Sequence, residues 1–320
     1  MDTRVCASNP LSGASAALVQ DGSSRHIAVC VCTYKRPHLL KRLLQELSVQ
    51  GTENLFTYSV VIVDNDESQS GKATVSEFAA GSIMRVSYHV ESRQSIALAR
   101  NKAVENAEGD FVAFIDDDEV PTKHWLVTLF RTWEKYRVDG VLGPVKPHFD
   151  EGAPKWIVEG GFYDRATYPT GFVIDGAKGR TGNVLLNKKV FASIPHPFKA
   201  EFRTGEDQDF FRRMIERKHV FIWCDEAVVY ESVPRMRWNR AFMLQRALLR
   251  GQNAVIHPTF GLRDIIKSVI AVPAYAAALP FALVLGHHRF MTILIKLFDH
   301  LGKVCALLGI QPISDQYITE

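Results

Sequence analysis

Ile27-Ala28-Val29-Cys30-Val31-Cys32-Thr33 is an apolar run with no polar alternation, and Tyr34-Lys35-Arg36 separates it from Pro37-His38-Leu39-Leu40-Lys41-Arg42-Leu43-Leu44-Gln45-Glu46-Leu47. An uninterrupted apolar run of this length reads as a strand covered on both faces. Pro37 suits a first helical turn, where its missing N–H costs nothing. Leu39, Leu40, Leu43, Leu44 and Leu47 recur at helical spacing and form one stripe. A strand, a short polar loop and an amphipathic helix therefore open the fold.

The same alternation continues outward. Residues 59–63 read as a second buried strand ending in Asp64-Asn65-Asp66, followed by a helix near 72–80, a strand at 83–89 and a helix at 96–107. Residues 111–115 read as a fourth strand, ending in Asp116-Asp117-Asp118, and Pro121 is expected to open a helix that buries Trp125, Leu126, Leu129, Phe130 and Trp133. Strands alternating with helices predict an α/β fold with a mostly parallel sheet covered on both sides. Such sheets bind ligands at the carboxyl ends of their strands. The three polar clusters, at 33–36, 64–66 and 116–118, fall at those ends. Residues 140–232 are mixed, with strands expected at 140–145, 183–187 and 220–224, a helix at 207–217, and Gly/Pro-rich connections around 146–182. Beyond Pro234 the pattern is helical, and no internal repeat is present.

A chain of 320 residues holds one large domain or two modest ones. The expected division is a leader at 1–24, an α/β unit at 25–233 (halves 25–120 and 121–233) and a basic, apolar helical region at 234–320. The leader is Ser/Ala/Gly-rich, without an apolar stretch after a basic start, so it reads as disordered and not as a signal peptide. A net charge of +3 is too small to imply nucleic acid as a partner. Five cysteines without metal-ligand spacing read as small core residues in a reducing cytoplasm.

Three consecutive aspartates at a strand end repel one another, and hard divalent cations such as magnesium or manganese take carboxylate oxygens and bridge them to a diphosphate. The alternative is a solvated acidic turn capping the next helix. The strand at 111–115 favours the cation, because it delivers the carboxylates to the carboxyl edge of a sheet. A second acidic cluster, Glu206-Asp207-Gln208-Asp209, opens a helix. Capping and the helix dipole explain acidic residues there equally well.

Thr33-Tyr34-Lys35-Arg36-Pro37 after an opening strand, then Val63-Asp64-Asn65-Asp66, Ala99-Arg100-Asn101 and Ile115-Asp116-Asp117-Asp118-Glu119, resembles glycosyltransferase family 2 over residues 27–251. Each motif is weak alone; the ordered set is specific. Phe114-Ile115-Asp116-Asp117-Asp118-Glu119 followed by Pro121 and Trp125-Leu126 is most similar to the rhizobial-type succinoglycan (exopolysaccharide) transferases within that family.

The resemblance implies the GT-A fold: a Rossmann-like nucleotide half and a mixed acceptor half, here with a helical membrane-associating region at the C-terminus. It implies that Thr33, Tyr34 and Arg36 line the base and ribose pocket, and that Asp64 accepts from a uracil-like ring with Asp66 beside it. Asp118 and Asp116 would be ligands to Mn2+ or Mg2+, with Asp116 or Asp117 on ribose or sugar. Arg93 and Arg100 would reach the diphosphate. Gln94-Ser95 stands where the family often has glycine, which leaves the role of Arg93 open, and Arg100 reads equally as a surface salt bridge. Asp207 matches the position of the catalytic base, with Glu206 as substitute and Asp209 orienting a neighbour. Gly182 and Asn183 would line the sugar pocket, or form a plain turn into a strand. Trp156 would stack on acceptor sugar, or plug a core.

The implied reaction is an inverting transfer from a UDP-sugar, with UDP-glucose favoured by the exopolysaccharide resemblance, to a lipid-linked saccharide acceptor. Six arginines and no acid lie between 232 and 263, with Arg246 and Arg250 at i, i+4, a pattern that reads as a phosphate-facing surface or a solvated helix. Residues 268–286 carry no charge but contain Pro273 and Pro280, which favours a re-entrant or interfacial segment over a span. Residues 291–310 read as an amphipathic helix. Monotopic attachment to the cytoplasmic face of the membrane, with a polysaccharide assembly complex as a further partner, accords with this pattern; burial of a helical pair in a soluble domain competes with it.

Two other classes fail at the first loop. A nicotinamide-dependent oxidoreductase needs Gly-x-Gly-x-x-Gly after the first strand, and a sugar-nucleotide pyrophosphorylase needs a Gly-rich loop there, but residues 33–37 contain no glycine. A catalytically inactive saccharide-binding or scaffolding subunit is the non-enzymatic alternative. It is expected to lose one of the two acidic clusters, and both are present.

Overall fold

The five leucines of the opening helix are all buried, and they fix it against the first strand. The computed structural model describes residues 25–192, 194–202, 204–256 and 260–310, so the leader expected at 1–24 lies outside the described residues. The chain opens as β1 (Arg25–Thr33), α1 (Pro37–Ser48), β2 (Phe56–Asp64), α2 (Lys72–Gly81), β3 (Val86–Val90), α3 (Ile96–Asn106) and β4 (Phe111–Ile115). It continues as β5 (Glu119–Pro121), α4 (Trp125–Tyr136), β6 (Gly140–Leu142), β7 (Val145–His148), α5 (Lys155–Gly160), β8 (Asn183–Asn187), α6 (Glu206–Glu216), β9 (Phe221–Trp223) and β10 (Val229–Ser232). Three helices follow: α7 (Arg240–Ala254), α8 (Leu262–Val284) and α9 (His287–Leu307).

One seven-stranded sheet, ordered β3-β2-β1-β4-β8-β6-β9, forms the centre of the α/β unit. The β1, β2, β3 and β4 strands are parallel, and β8 runs antiparallel between β4 and β6. Alternate residues of β1 feed opposite cores, as a doubly covered strand requires. Ile27, Val29 and Val31 pack with the leucines of α1 and with Trp125 and Phe130 of α4. Ala28 and Cys30 pack with Ala97, Ala99 and Ala103 of α3 and with Phe210, Phe211 and Met214 of α6. Each fully buried Val, Leu, Ile, Phe or Met among them contributes on the order of 1.5–3 kcal/mol. The register sets Thr33 beside Asp64, which brings two of the polar clusters together at the carboxyl edge.

Two expectations are corrected. Pro121 ends β5, pairing with Val229, and the helix begins only at Trp125. The run at 140–145 is not one strand: Gly143 and Pro144 divide it, so β6 joins the main sheet and β7 a separate sheet ordered β5-β10-β7. Residues 262–284 form one continuous helix through Pro273 and Pro280, although each proline forfeits a backbone hydrogen bond.

The α7 and α9 helices cross at Gly251 and Gly302. A Cβ at Gly251 would lie 2.1 Å from the Asp299 carbonyl, and one at Gly302 would lie 2.2 Å from that of Leu248. The α8 helix packs on α9 through a buried contact between Ser268 Oγ and His300 Nδ1 (2.9 Å). Its opposite face leaves Ile266, Ile270, Phe281 and Val284 exposed. Gly251→Leu is expected to pry α7 from α9 at a cost of roughly 1–3 kcal/mol. Proteolysis should then release the C-terminal helices while the α/β unit stays resistant.

Candidate active site

A cleft of about 250 Å³ opens at the carboxyl edge of β1 and β4. Thr33, Tyr34 and Arg36 form one wall, Asp116, Asp117 and Asp118 the floor, and Arg100 the far side. Thr33 Oγ1 donates to Asp117 Oδ2 (2.7 Å), and Arg36 Nη1 lies 3.3 Å from both Asp117 Oδ1 and Asp118 Oδ2. Burial pushes the Asp117 carboxyl up despite Arg36 and Thr33. Asp118 is pushed up to about 7 by burial and by the charges of Asp117, Glu231 and Asp116.

Arg100 of α3 is buried and bridges two clusters. Its guanidinium lies 3.5 Å from Asp116 Oδ1 and ion-pairs Glu206 at the start of α6. Of the two readings of Arg100, the surface salt bridge is thus excluded. Glu206 is committed to Arg100, whereas Asp207 beside it is half-buried and accepts from the Gln208 N–H (2.7 Å). Asp209 is fully buried and holds Arg212 and Arg213 (2.7 Å each). Arg213 in turn caps the Pro197 carbonyl, so Asp209 orients neighbours and does not line a sugar pocket.

Several expected ligand contacts are structural. Asp64 is fully buried: Oδ2 accepts from Gly71 N–H and Tyr88 OH (2.7 Å each), and Oδ1 from Asp66 N–H (3.1 Å). Asp66 binds Ser68 Oγ (2.5 Å), and neither aspartate lines the cleft. Their neighbour Asn65 does, and it ties down the following loop through Glu91 O, Arg93 O and Ser95 N–H. The Arg93 side chain is 75% exposed and pairs with Glu91, outside the cleft wall. Asn183 accepts from Trp125 Nε1 (2.7 Å) and donates to the Pro144 and Ala227 carbonyls, which spends its amide inside the fold. Trp156 packs edge-on against Phe162 and His287, a core plug that joins α5 to α9. Gly182 does border the site, since a Cβ there would lie 2.7 Å from Glu119 Oε1 and 3.2 Å from Asp116 Oδ2.

A model described as "Glycosyl transferase family 2" matches residues 28–194. Over 302 residues the chain is 31% identical to the succinoglycan biosynthesis protein ExoM of Rhizobium meliloti (strain 1021), covering 91% of this chain and 96% of that protein. The chain belongs to glycosyl transferase family 2. It is also 31% identical over 138 residues to a glucosyl-dolichyl phosphate glucuronosyltransferase of Haloferax volcanii, covering 42% of each chain. A mannosyltransferase of Pyrobaculum calidifontis, solved with GDP-Man and Mn2+, superposes with a TM-score of 0.63 at 16% identity, covering 90% of this chain and 89% of that one. S. aureus TarS 1-349, solved with UDP, gives 0.52 at 15% identity, covering 91% and 94%. The fold is GT-A, and this family 2 chain is a glycosyltransferase.

The floor of the cleft fits a hard divalent cation. Its donors are all carboxylate oxygens, and Asp116 Oδ2 and Glu119 Oε1 face the gap where Gly182 lacks a Cβ. Glu119 Oε1 is buried without a hydrogen-bond partner, and burial with the Asp116 charge pushes its carboxyl well up. No group of three or more His, Cys, Asp or Glu side chains is arranged as a metal cage among the described residues. A cation on Asp118 and Asp116 would therefore complete its shell from a ligand's oxygens, as magnesium does with phosphates.

Sequence reasoning missed the arginines behind the floor. Arg42 donates to Ser232 Oγ (2.6 Å) and to the Asp118 carbonyl (3.5 Å). Arg237 lies 3.8 Å from Asp118 Oδ2 and 3.4 Å from Glu231, which also pairs with Arg165. Their positions depend on β10 and the long connection before β8, and neither carries a local motif.

Because the Asp118 carboxyl titrates near 7 in the fold and near 3.8 when unfolded, its charge opposes folding increasingly as pH rises through that window. In chelator, Asp118→Asn should stabilise the protein by roughly 1–3 kcal/mol above pH 7. That gain should shrink as pH falls and vanish below about pH 3, where the wild-type carboxyl is protonated both folded and unfolded; thermal melts across pH report it.

Proposed function

We propose that the chain moves a sugar from a nucleoside diphosphate sugar, UDP-glucose first among them, to a saccharide carried on a lipid, with inversion at the anomeric carbon. The observation that carries this reading is the Arg100 bridge. It ties the Asp116 side of the cleft to Glu206 and leaves the adjacent Asp207 as the half-exposed carboxylate at the helix start. Thr33, Tyr34 and Arg36 flank the nucleotide, and Asn65 holds the neighbouring loop. Asp64 and Asp66 act behind this wall by fixing the turn.

In the reaction, Asp207 takes the proton of the acceptor hydroxyl as its oxygen attacks the anomeric carbon. The bond from that carbon to the donor phosphate oxygen breaks, and its electrons leave on the nucleoside diphosphate. Asp118 and Asp116 would hold a divalent cation, which would supply charge neutralisation for that leaving group. The buried arginines add to the same effect, in a cleft where water screens little.

The α8 helix supports membrane association: it is the one helix among the described residues long and apolar enough to cross a bilayer, and little of it is buried. One of its faces packs on α9, which bears Asp299, His300 and Lys303, and this favours an in-plane position on the cytoplasmic face over a lone span. Similarity to ExoM supports a place in exopolysaccharide biosynthesis, within or beside an assembly complex.

Calorimetric titration with UDP should give binding that requires manganese and is lost in Asp118→Ala; equal binding without metal removes the cation from the reading. Asp207→Asn should keep UDP affinity and lower turnover by at least about a hundredfold, whereas Glu206→Gln should weaken the fold as well. In the full chain, replacing Ile270 and Phe281 with Glu should free the protein from sedimenting membranes. Continued sedimentation counts against α8 as the anchor.

A further inference from the structure

Arg246 of α7 does not share a charged face with Arg250, as their spacing suggests. Arg250 turns to α9 and donates to Asp299 (2.6 Å). Arg246 turns to the catalytic unit, where its guanidinium lies 5.9 Å from the centroid of the Tyr163 ring. The Tyr163 hydroxyl donates to the Arg237 carbonyl (2.6 Å), and Arg237 Nη1 lies 3.4 Å from Glu231 Oε1. Arg165 pairs with the other oxygen of Glu231.

Three guanidinia thus gather beside Glu231, with the Asp118 carboxylate next to Arg237. Arg246 lies within electrostatic reach of Arg237, Arg165 and Glu231, is itself exposed, and has no carboxylate in ion-pair range among the described residues. None of the three arginines lines the donor cleft. They stand on the other side of Asp118, joined to it through Arg237 (3.8 Å). Like charges held together at partial burial repel, and a phosphate relieves them because its oxygens accept from several guanidinia at once.

We propose that Arg165, Arg237 and Arg246 form an acceptor-side phosphate site, which holds the phosphate joining the acceptor saccharide to its lipid. This rests on the lipid-linked acceptor in the proposed function. Two features on the page agree with that source. Arg246 belongs to α7, which packs on α9 and so connects the site to the apolar face of α8. Arg237, a member of the site, lies 3.8 Å from Asp118 Oδ2, so the site adjoins the donor cleft, which fits a short acceptor saccharide.

The test uses the full chain with UDP and magnesium at saturation, titrated calorimetrically with inorganic phosphate. Phosphate should still bind, and Arg246→Gln should weaken it about tenfold or more while leaving UDP affinity unchanged. Arg250→Gln should behave as wild type. Phosphate that competes with UDP, or that ignores Arg246→Gln, overturns the site. A vesicle arm separates the sources. Loss of affinity in Arg246→Gln confined to phosphatidylcholine vesicles doped with a polyprenyl phosphate supports the carrier; an equal loss on phosphatidylglycerol vesicles assigns the contact to bulk headgroups and overturns it. UDP binding in the same samples reports on the transferase reading separately. If UDP fails to bind while phosphate and Arg246 still respond, that reading falls and the anion site stands.

Discussion

Four consecutive carboxylates, Asp116 to Glu119, sit at the end of a buried strand, and their mutual repulsion is the constraint to which the rest of the catalytic unit answers. Asp117, Asp118 and Glu119 are each less than a tenth exposed. Charges of one sign at such burial are tolerated only with partners. The partners come from distant parts of the chain: Arg36 after β1, Arg100 on α3, Arg237 after β10, and Arg165 through Glu231. Meeting that electrostatic demand requires the first strand, the third helix, the connection before β8 and the last strand to converge. The placement of the acidic motif therefore specifies much of the tertiary structure around it.

Those arginines are also divided by side. Arg36 and Arg100 face the cleft, whereas Arg165, Arg237 and Arg246 lie beyond Asp118. The acidic motif acts as a partition between two cationic environments. Arg100 does more than neutralise, because its second ion pair reaches Glu206 and fixes where α6 begins relative to β4. A displacement of either acidic cluster would have to break that buried pair.

Much of this was legible in the sequence because periodicity and burial coincide in the first half. Leucines 39 to 47 and the apolar residues of β1, β2 and β4 left little choice of element or face. The clusters at 33–36 and 116–118 met at one cleft for the same reason. Asp64 was harder: a carboxylate at a strand end looks alike whether it faces a ligand or closes a turn, and only Gly71 and Tyr88 decide the matter. Trp156 and Asn183 were ambiguous in the same sense, and each proved to be an internal fastener. The short strands β5, β7 and β10 carry too few residues for a period to register, and Arg165, Glu231 and Arg237 depend on them. Pro121 misled because proline suits a strand end as well as a helix start.

The position of β8 has a consequence for how the chain folds. Residues 183–187 insert between β4 and β6, so the strand that bears the acidic motif finds its outer neighbour some seventy residues later. Until that segment arrives, β4 is an edge with unpaired backbone groups beside a buried apolar face. Residues 25–120 are thus incomplete as a folding unit on their own. A chain halted after residue 120 exposes a sticky edge, and the two halves gain their cooperativity together or not at all.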